Sequence, residues 1–114
     1  MPPRKLIHAY QLLVLNVAII SDGANTWPLY VAETRGFFER EGLEVKVTLT
    51  ASSAKQLEAL CAGGYDIGFQ QSDHIVRGVE RGADLFIFMA HAHAPELSLV
   101  VAPGVVSLED LRNK

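Results

Sequence analysis

A single cysteine, Cys61, and a single tryptophan, Trp27, stand among 114 residues. One thiol excludes an internal disulfide framework and a thiolate zinc cluster, each of which needs several. Long apolar runs are missing as well. Leu12–Ile20 (LLVLNVAII) is nine residues, whereas a bilayer span needs about 20. Positive charge is scarce: ten Lys and Arg stand against 13 Asp and Glu, for a formal charge of −3. The basic residues are scattered singly or in pairs, so the stripe that would track a phosphate backbone is absent and no nucleic-acid partner is expected. No phosphate loop, dinucleotide fingerprint or nucleophile elbow occurs. Gly63-Gly64 followed by Gly68 lies between a predicted helix and a strand, the wrong order for a nucleotide site.

Apolar material is plentiful: 49% of residues are hydrophobic and 20% charged. That is enough for a core and excludes intrinsic disorder. A compact domain of this size would have a radius of gyration of about 13 Å. Residues 1–5 (MPPRK) are basic and precede the apolar run. Ser21-Asp22-Gly23 is a turn sequence rather than a small-x-small cleavage site, so Leu12–Ile20 reads as a buried first strand covered on both faces.

Trp27–Glu39 reads as a helix with Pro28 in its first turn, Asn25 or Thr26 as cap, and a break at Gly36. Leu43–Leu49 (LEVKVTL) alternates strictly, which predicts a half-exposed strand at or near a sheet edge. Ser53 to Gln56 reads as a capping box opening a helix, with Ala54, Leu57, Leu60 and Cys61 on its apolar side and Gly63-Gly64 at its end. Asp66–Gln70 is a short predicted strand. Ser72-Asp73 opens a further helix with Ile75, Val76 and Val79 inward. Leu85–Met89 and Leu97–Val101 are predicted strands, and Ser107 to Asp110 is a second capping box.

The resulting order, βαβαβαββα, predicts an α/β fold with a mainly parallel sheet covered by helices on both faces. Such sheets take ligands outside the carboxyl ends of their strands. The loops there are Ser21–Thr26, Thr50–Ser53 and Gln70–Asp73. Each ends at a helix N-terminus that favours a negative or polar group. Ser52, Ser53 and Ser72 add hydroxyls that serve equally as helix caps. These loops carry Asp22 and Asp73 but no Lys or Arg. A neutral or amine-bearing ligand therefore suits them better than an oxyanion, which would lack a cationic clamp. Trp27 is placed either to stack on a planar ring or to pack on the sheet. His91 and His93 share one face of an extended segment, but no third ligand follows at a recognisable spacing, so no metal is expected. Cys61, on an apolar helix face, reads as a small core residue.

Leu29–Val47 (LYVAETRGFFEREGLEVKV), Leu60–Phe69 (LCAGGYDIGF), Arg77–Phe86 (RGVERGADLF) and Leu97–Leu111 (LSLVVAPGVVSLEDL) resemble the solute-binding proteins of ABC importers for nitrate, sulfonates, taurine and thiamine-pyrimidine precursors. Thiamine-pyrimidine synthases share that fold, but their cysteine-rich motif is not matched here, where Cys61 stands alone. The resemblance implies the first lobe of a type II periplasmic-binding-protein-like fold. Residues 1–11 would be an N-terminal extension, 12–102 the α/β ligand-binding lobe, and 103–114 the hinge and the start of a helix leading to an absent second lobe. It also implies ligand contacts from Asn25, Trp27, Ser52, Ser53, Ser72 and Asp73, with His91 near the hinge. No cofactor is implied. The expected function is binding of a small-molecule ligand, a nitrogen heterocycle before a sulfonate or nitrate, for a membrane permease. The alternative is an enzyme on the same fold, with His91 or His74 as base. The implied location is extracytoplasmic after removal of a leader, the alternative being cytoplasmic, and a second copy of the chain is the alternative to a second lobe.

Overall fold

The structure, a computed structural model, describes residues 11–92, Ala94 and residues 97–112. The N-terminal extension up to residue 10 and His93 lie outside the described residues. Three strands form one parallel sheet in the order β2-β1-β3: β1 Leu13–Ile19, β2 Leu43–Leu49 and β3 Ile67–Gly68. β1 pairs with β2 from Leu13↔Leu43 to Ile19↔Leu49, and with β3 at Val17↔Ile67 and Ala18↔Gly68. Both connections are helical. α1 (Trp27–Thr34) and α2 (Phe37–Arg40) join β1 to β2, and α3 (Ser53–Cys61) joins β2 to β3. α4 (Ser72–Glu80) follows β3.

The two faces of β1 have different chemistry, and that decides what packs on each. Odd-numbered Leu15, Val17 and Ile19 form the larger cluster with Val45, Val47 and Ile67, covered by Leu29 and Tyr30 of α1 and by Phe38. The even-numbered face is small where α3 crosses it. Ala18 is fully buried, and a side chain at its neighbour Gly68 would collide with Leu60 of α3. Helices thus cover both faces of the sheet, as the βα alternation requires. Gly36, at φ 65, takes the left-handed conformation that separates α1 from α2.

Several expectations are corrected. β1 is buried only at its carboxyl half: Val17, Ala18 and Ile19 are enclosed, while Leu13 and Val14 are exposed where no helix reaches them. Leu85–Met89 and Leu97–Val101 belong to no helix and no sheet. A strand exists only as a paired ladder, and among the described residues neither segment has a partner. Apolar composition alone does not supply the strand that such a segment needs beside it. Their side chains stay open to solvent, Phe86 at 80% and Val100 at 88% exposure. The radius of gyration is accordingly 19.7 Å, well above the compact value. Val76 and Val79 of α4 are exposed, and the buried position there is Gly78. Cys61 is exposed, not core, because the buried stripe of α3 runs through Gln56 and Leu60. The capping box at residues 107–110 opens only the short 3-10 turn Glu109–Leu111. Asp110 Oδ2 accepts the backbone N–H groups of Val106 and Ser107, each at 3.0 Å, and these bonds hold its carboxyl below the usual range.

Candidate ligand cavity at the strand carboxyl ends

The end of β1 and the loops after β2 and β3 converge on one buried side chain. Gln56, on the first turn of α3, is fully enclosed. Its Oε1 accepts from the Thr50 hydroxyl at 2.8 Å. Its Nε2 donates to the Phe69 carbonyl at 2.8 Å and to Gln70 Oε1 at 2.9 Å. Gln70 Nε2 in turn donates to the Ser53 carbonyl at 2.7 Å. Thr50 N–H closes on the Ile19 carbonyl at 2.8 Å. The chain of bonds thus ties the end of β1, the end of β2, the start of α3 and the segment after β3. Every polar atom of Gln56 has a partner, so its burial costs little.

The capping box proposed for α3 is corrected by this arrangement. Ser52, not Ser53, is the cap, its hydroxyl accepting from Lys55 N–H at 3.3 Å. Gln56 does not reach back to the helix start, because the strand ends claim its amide. α4 is likewise capped from Gln71, without a side-chain bond from Ser72. Thr26 precedes α1 with its hydroxyl donating back to the Gly23 carbonyl at 2.7 Å, which folds the loop after β1 instead of capping the helix.

A cavity of about 430 Å³ opens beside these loops. One wall is Ser21, Asn25 and Thr26 of the loop after β1, another Phe69, Gln70 and Gln71 after β3. The third is the segment carrying Phe88, Met89 and His91. The His91 ring stacks on Phe69, with centroids 6.4 Å apart and planes 25° off parallel. Among the described residues no Asp, Glu, Lys or Arg lines the space. The chemistry on offer is neutral: aromatic faces, a thioether, carboxamides and an imidazole.

Of the expected ligand contacts, the cavity brings Asn25 and His91 together. Trp27 lies at the start of α1, 63% exposed and outside the lining. Ser52 is occupied as a cap, and Ser53 contributes its carbonyl to Gln70. Ser72 is on the surface, and Asp73 forms an ion pair with Arg77 one helical turn on. Asp22 accepts a hydrogen bond from the Tyr30 hydroxyl. Both loop carboxylates are therefore engaged by partners outside the cavity lining, which makes the site neutral rather than acidic. His74 lines a separate groove between α3 and α4 together with Cys61, Arg77 and Arg81. Phe69, Gln70, Gln71 and Met89 line the cavity without having been singled out in the sequence. A legible signal existed for Gln56: it lies on the Ser53, Gln56, Leu57, Leu60 stripe, three and four residues apart, where a polar residue must find buried partners. No group of three His, Cys, Asp or Glu among the described residues could hold a metal.

The model of the family described as NMT1/THI5 like matches residues 23–114, which takes in most of the loops and all of the cavity lining except Ile20 and Ser21. The chain belongs to the NMT1/THI5-like family. Within the family's reach, the chain is 36% identical over 72 residues to the protein of Bacillus subtilis named "Putative binding protein YtlA", an alignment covering 63% of this chain and 22% of that protein. It is 26% identical over 89 residues to the 4-amino-5-hydroxymethyl-2-methylpyrimidine phosphate synthase of Schizosaccharomyces pombe, covering 76% of this chain and 26% of that one. The chain thus spans about a quarter of the length of these curated relatives. No solved structure matches it significantly.

Proposed function

We propose that the chain binds a small neutral nitrogen heterocycle, as the ligand-binding lobe of an importer-type solute-binding protein. The observation that carries this reading is the neutral cavity at the strand carboxyl ends, where the stacked Phe69–His91 pair stands beside the carboxamides of Asn25, Gln70 and Gln71. Aromatic faces hold a planar ring and carboxamides read its donors and acceptors. A sulfonate or nitrate finds no cationic side chain among the described lining residues. The relative named as a binding protein supports the binding role, and the pyrimidine in the other relative's name supports the ligand class. A membrane permease would be the partner of such a protein, and hinge closure against a second lobe, or a second copy of this chain, would complete the cleft.

The relative named as a synthase favours one second reading, an enzyme acting on a related pyrimidine. His91 would then be the base, being the described histidine that lines the cavity. Calorimetry with a panel of aminopyrimidines, taurine and nitrate separates the readings. Heat of binding from an aminopyrimidine alone, without turnover, is expected. Binding confined to taurine or nitrate would overturn the ligand class, and turnover lost on His91→Ala would replace binding by catalysis.

A further inference from the structure

Gln70 lines the cavity, and the orientation of its side-chain amide is set from outside it. Resting on the heterocycle-binding reading above, we infer that Gln56 is a positioning residue that fixes which hydrogen-bonding pattern Gln70 presents to a ligand. Gln56 has no freedom to turn over. The Phe69 carbonyl can only accept, so it requires Nε2 on that side. This leaves Oε1 facing the Thr50 hydroxyl, whose oxygen is 2.8 Å away and whose single hydrogen is shared with the Ile19 carbonyl at 3.1 Å. With Nε2 so placed, its second hydrogen goes to Gln70 Oε1. The Ser53 carbonyl, also able only to accept, takes Gln70 Nε2. Turning the Gln70 amide over would set two donors against each other at Gln56 and two acceptors at Ser53, losing two bonds at once.

Counting what remains identifies the recognition chemistry. A carboxamide has two N–H donors and two oxygen lone pairs. Gln70, which lines the cavity, spends one of each on the protein and leaves one of each, on known atoms, for a ligand. A free glutamine reads a ring nitrogen beside an exocyclic amine, and also a ring N–H beside an oxo group, by turning over between them. A locked glutamine accepts one of these edges and rejects the other. Specificity for an aminopyrimidine over its oxo counterpart, or the reverse, is therefore built into α3 and not into the cavity wall alone.

The test compares calorimetric affinities for 4-amino-5-hydroxymethyl-2-methylpyrimidine and its 4-oxo analogue. The unaltered chain is expected to separate them by at least about tenfold, the scale of a mismatched hydrogen-bonded pair. Gln56→Glu, measured at about pH 9 because burial raises a carboxyl's pKa, presents acceptors only to Gln70. The carboxylate then favours the turned-over amide while the Ser53 carbonyl favours the original one, and the ratio is expected to fall to within about threefold. Gln70→Glu keeps the Gln56 donor satisfied on a less buried side chain, which guards against a failure of Gln56→Glu to fold. It presents acceptors only and is expected to change the ratio as well. If both variants fold and weaken the two ligands equally, the positioning role is wrong while the binding reading stands. An unchanged ratio in Gln70→Glu overturns the inference on its own. If the unaltered chain binds neither pyrimidine, the binding reading falls and the inference with it.

Discussion

Replacing Gln56 by leucine fills a similar volume and removes the donors to the Phe69 carbonyl and to Gln70 Oε1. Leaving buried acceptors unmatched is more costly than never having made the bonds. A loss of about 2–3 kcal/mol in urea unfolding is expected, with the midpoint moving at unchanged slope. Tyr30 offers a second measurement at this scale. Its hydrogen bond to Asp22 is the largest cause holding its pKa above the ordinary tyrosine value, with desolvation and the charges of Asp22 and Glu33 adding to it. The neutral phenol makes the bond, so the contact is in place below about pH 10 and is lost as pH rises through the higher folded value. Asp22→Asn should move the Tyr30 ring titration down toward the ordinary value in an NMR pH series, leaving the part due to desolvation and Glu33. Neither contact was legible from spacing alone. Gln56 reads in the sequence as the closing member of a capping box, because helix spacing does not show that the strand ends claim its amide. Asp22 was assigned to the ligand loops because sequence position says which loop holds a carboxylate and not where it turns.

At the scale of elements, α3 sits against β3 because Gly68 leaves room for Leu60. A Cβ at Gly68 would stand 3.3 Å from Leu60 Cγ and closer still to its methyls. Gly68→Ala should therefore destabilise by roughly 1–3 kcal/mol. In the Leu60→Ala background the same change should cost clearly less, a coupling that a double-mutant unfolding cycle reads directly. The elements that periodicity specifies were legible in the sequence. Strict alternation marked β2 residue for residue, Gly36 marked the break between α1 and α2, and Gly63-Gly64 the end of α3. The segments at 85–89 and 97–101 were misread because an apolar extended run does not reveal whether a neighbouring strand exists. The cap of α3 was misplaced by one residue for a related reason: Ser52 and Ser53 both have capping chemistry, and tertiary bonds to Gln56 decide between them.

Across the whole molecule, burial is uneven. The enclosed core gathers at the carboxyl half of β1 with Leu29 and Leu60, whereas Phe86, Phe88, Leu97, Leu99, Val100 and Val106 are exposed. Apolar surface of that extent promotes association. The apparent mass from light scattering should rise with concentration, and the paired change Phe86→Lys and Leu99→Lys should suppress the rise. A constant monomer mass would contradict this. The proposed function places a nitrogen heterocycle in the neutral cavity at the strand carboxyl ends. An NMR titration with 4-amino-5-hydroxymethyl-2-methylpyrimidine tests it most directly. Saturable shifts should concentrate at Asn25, Phe69, Gln70 and His91, and spare Cys61, Arg77 and Arg81 in the groove between α3 and α4. Shifts confined to that groove, or none at millimolar ligand, would contradict it.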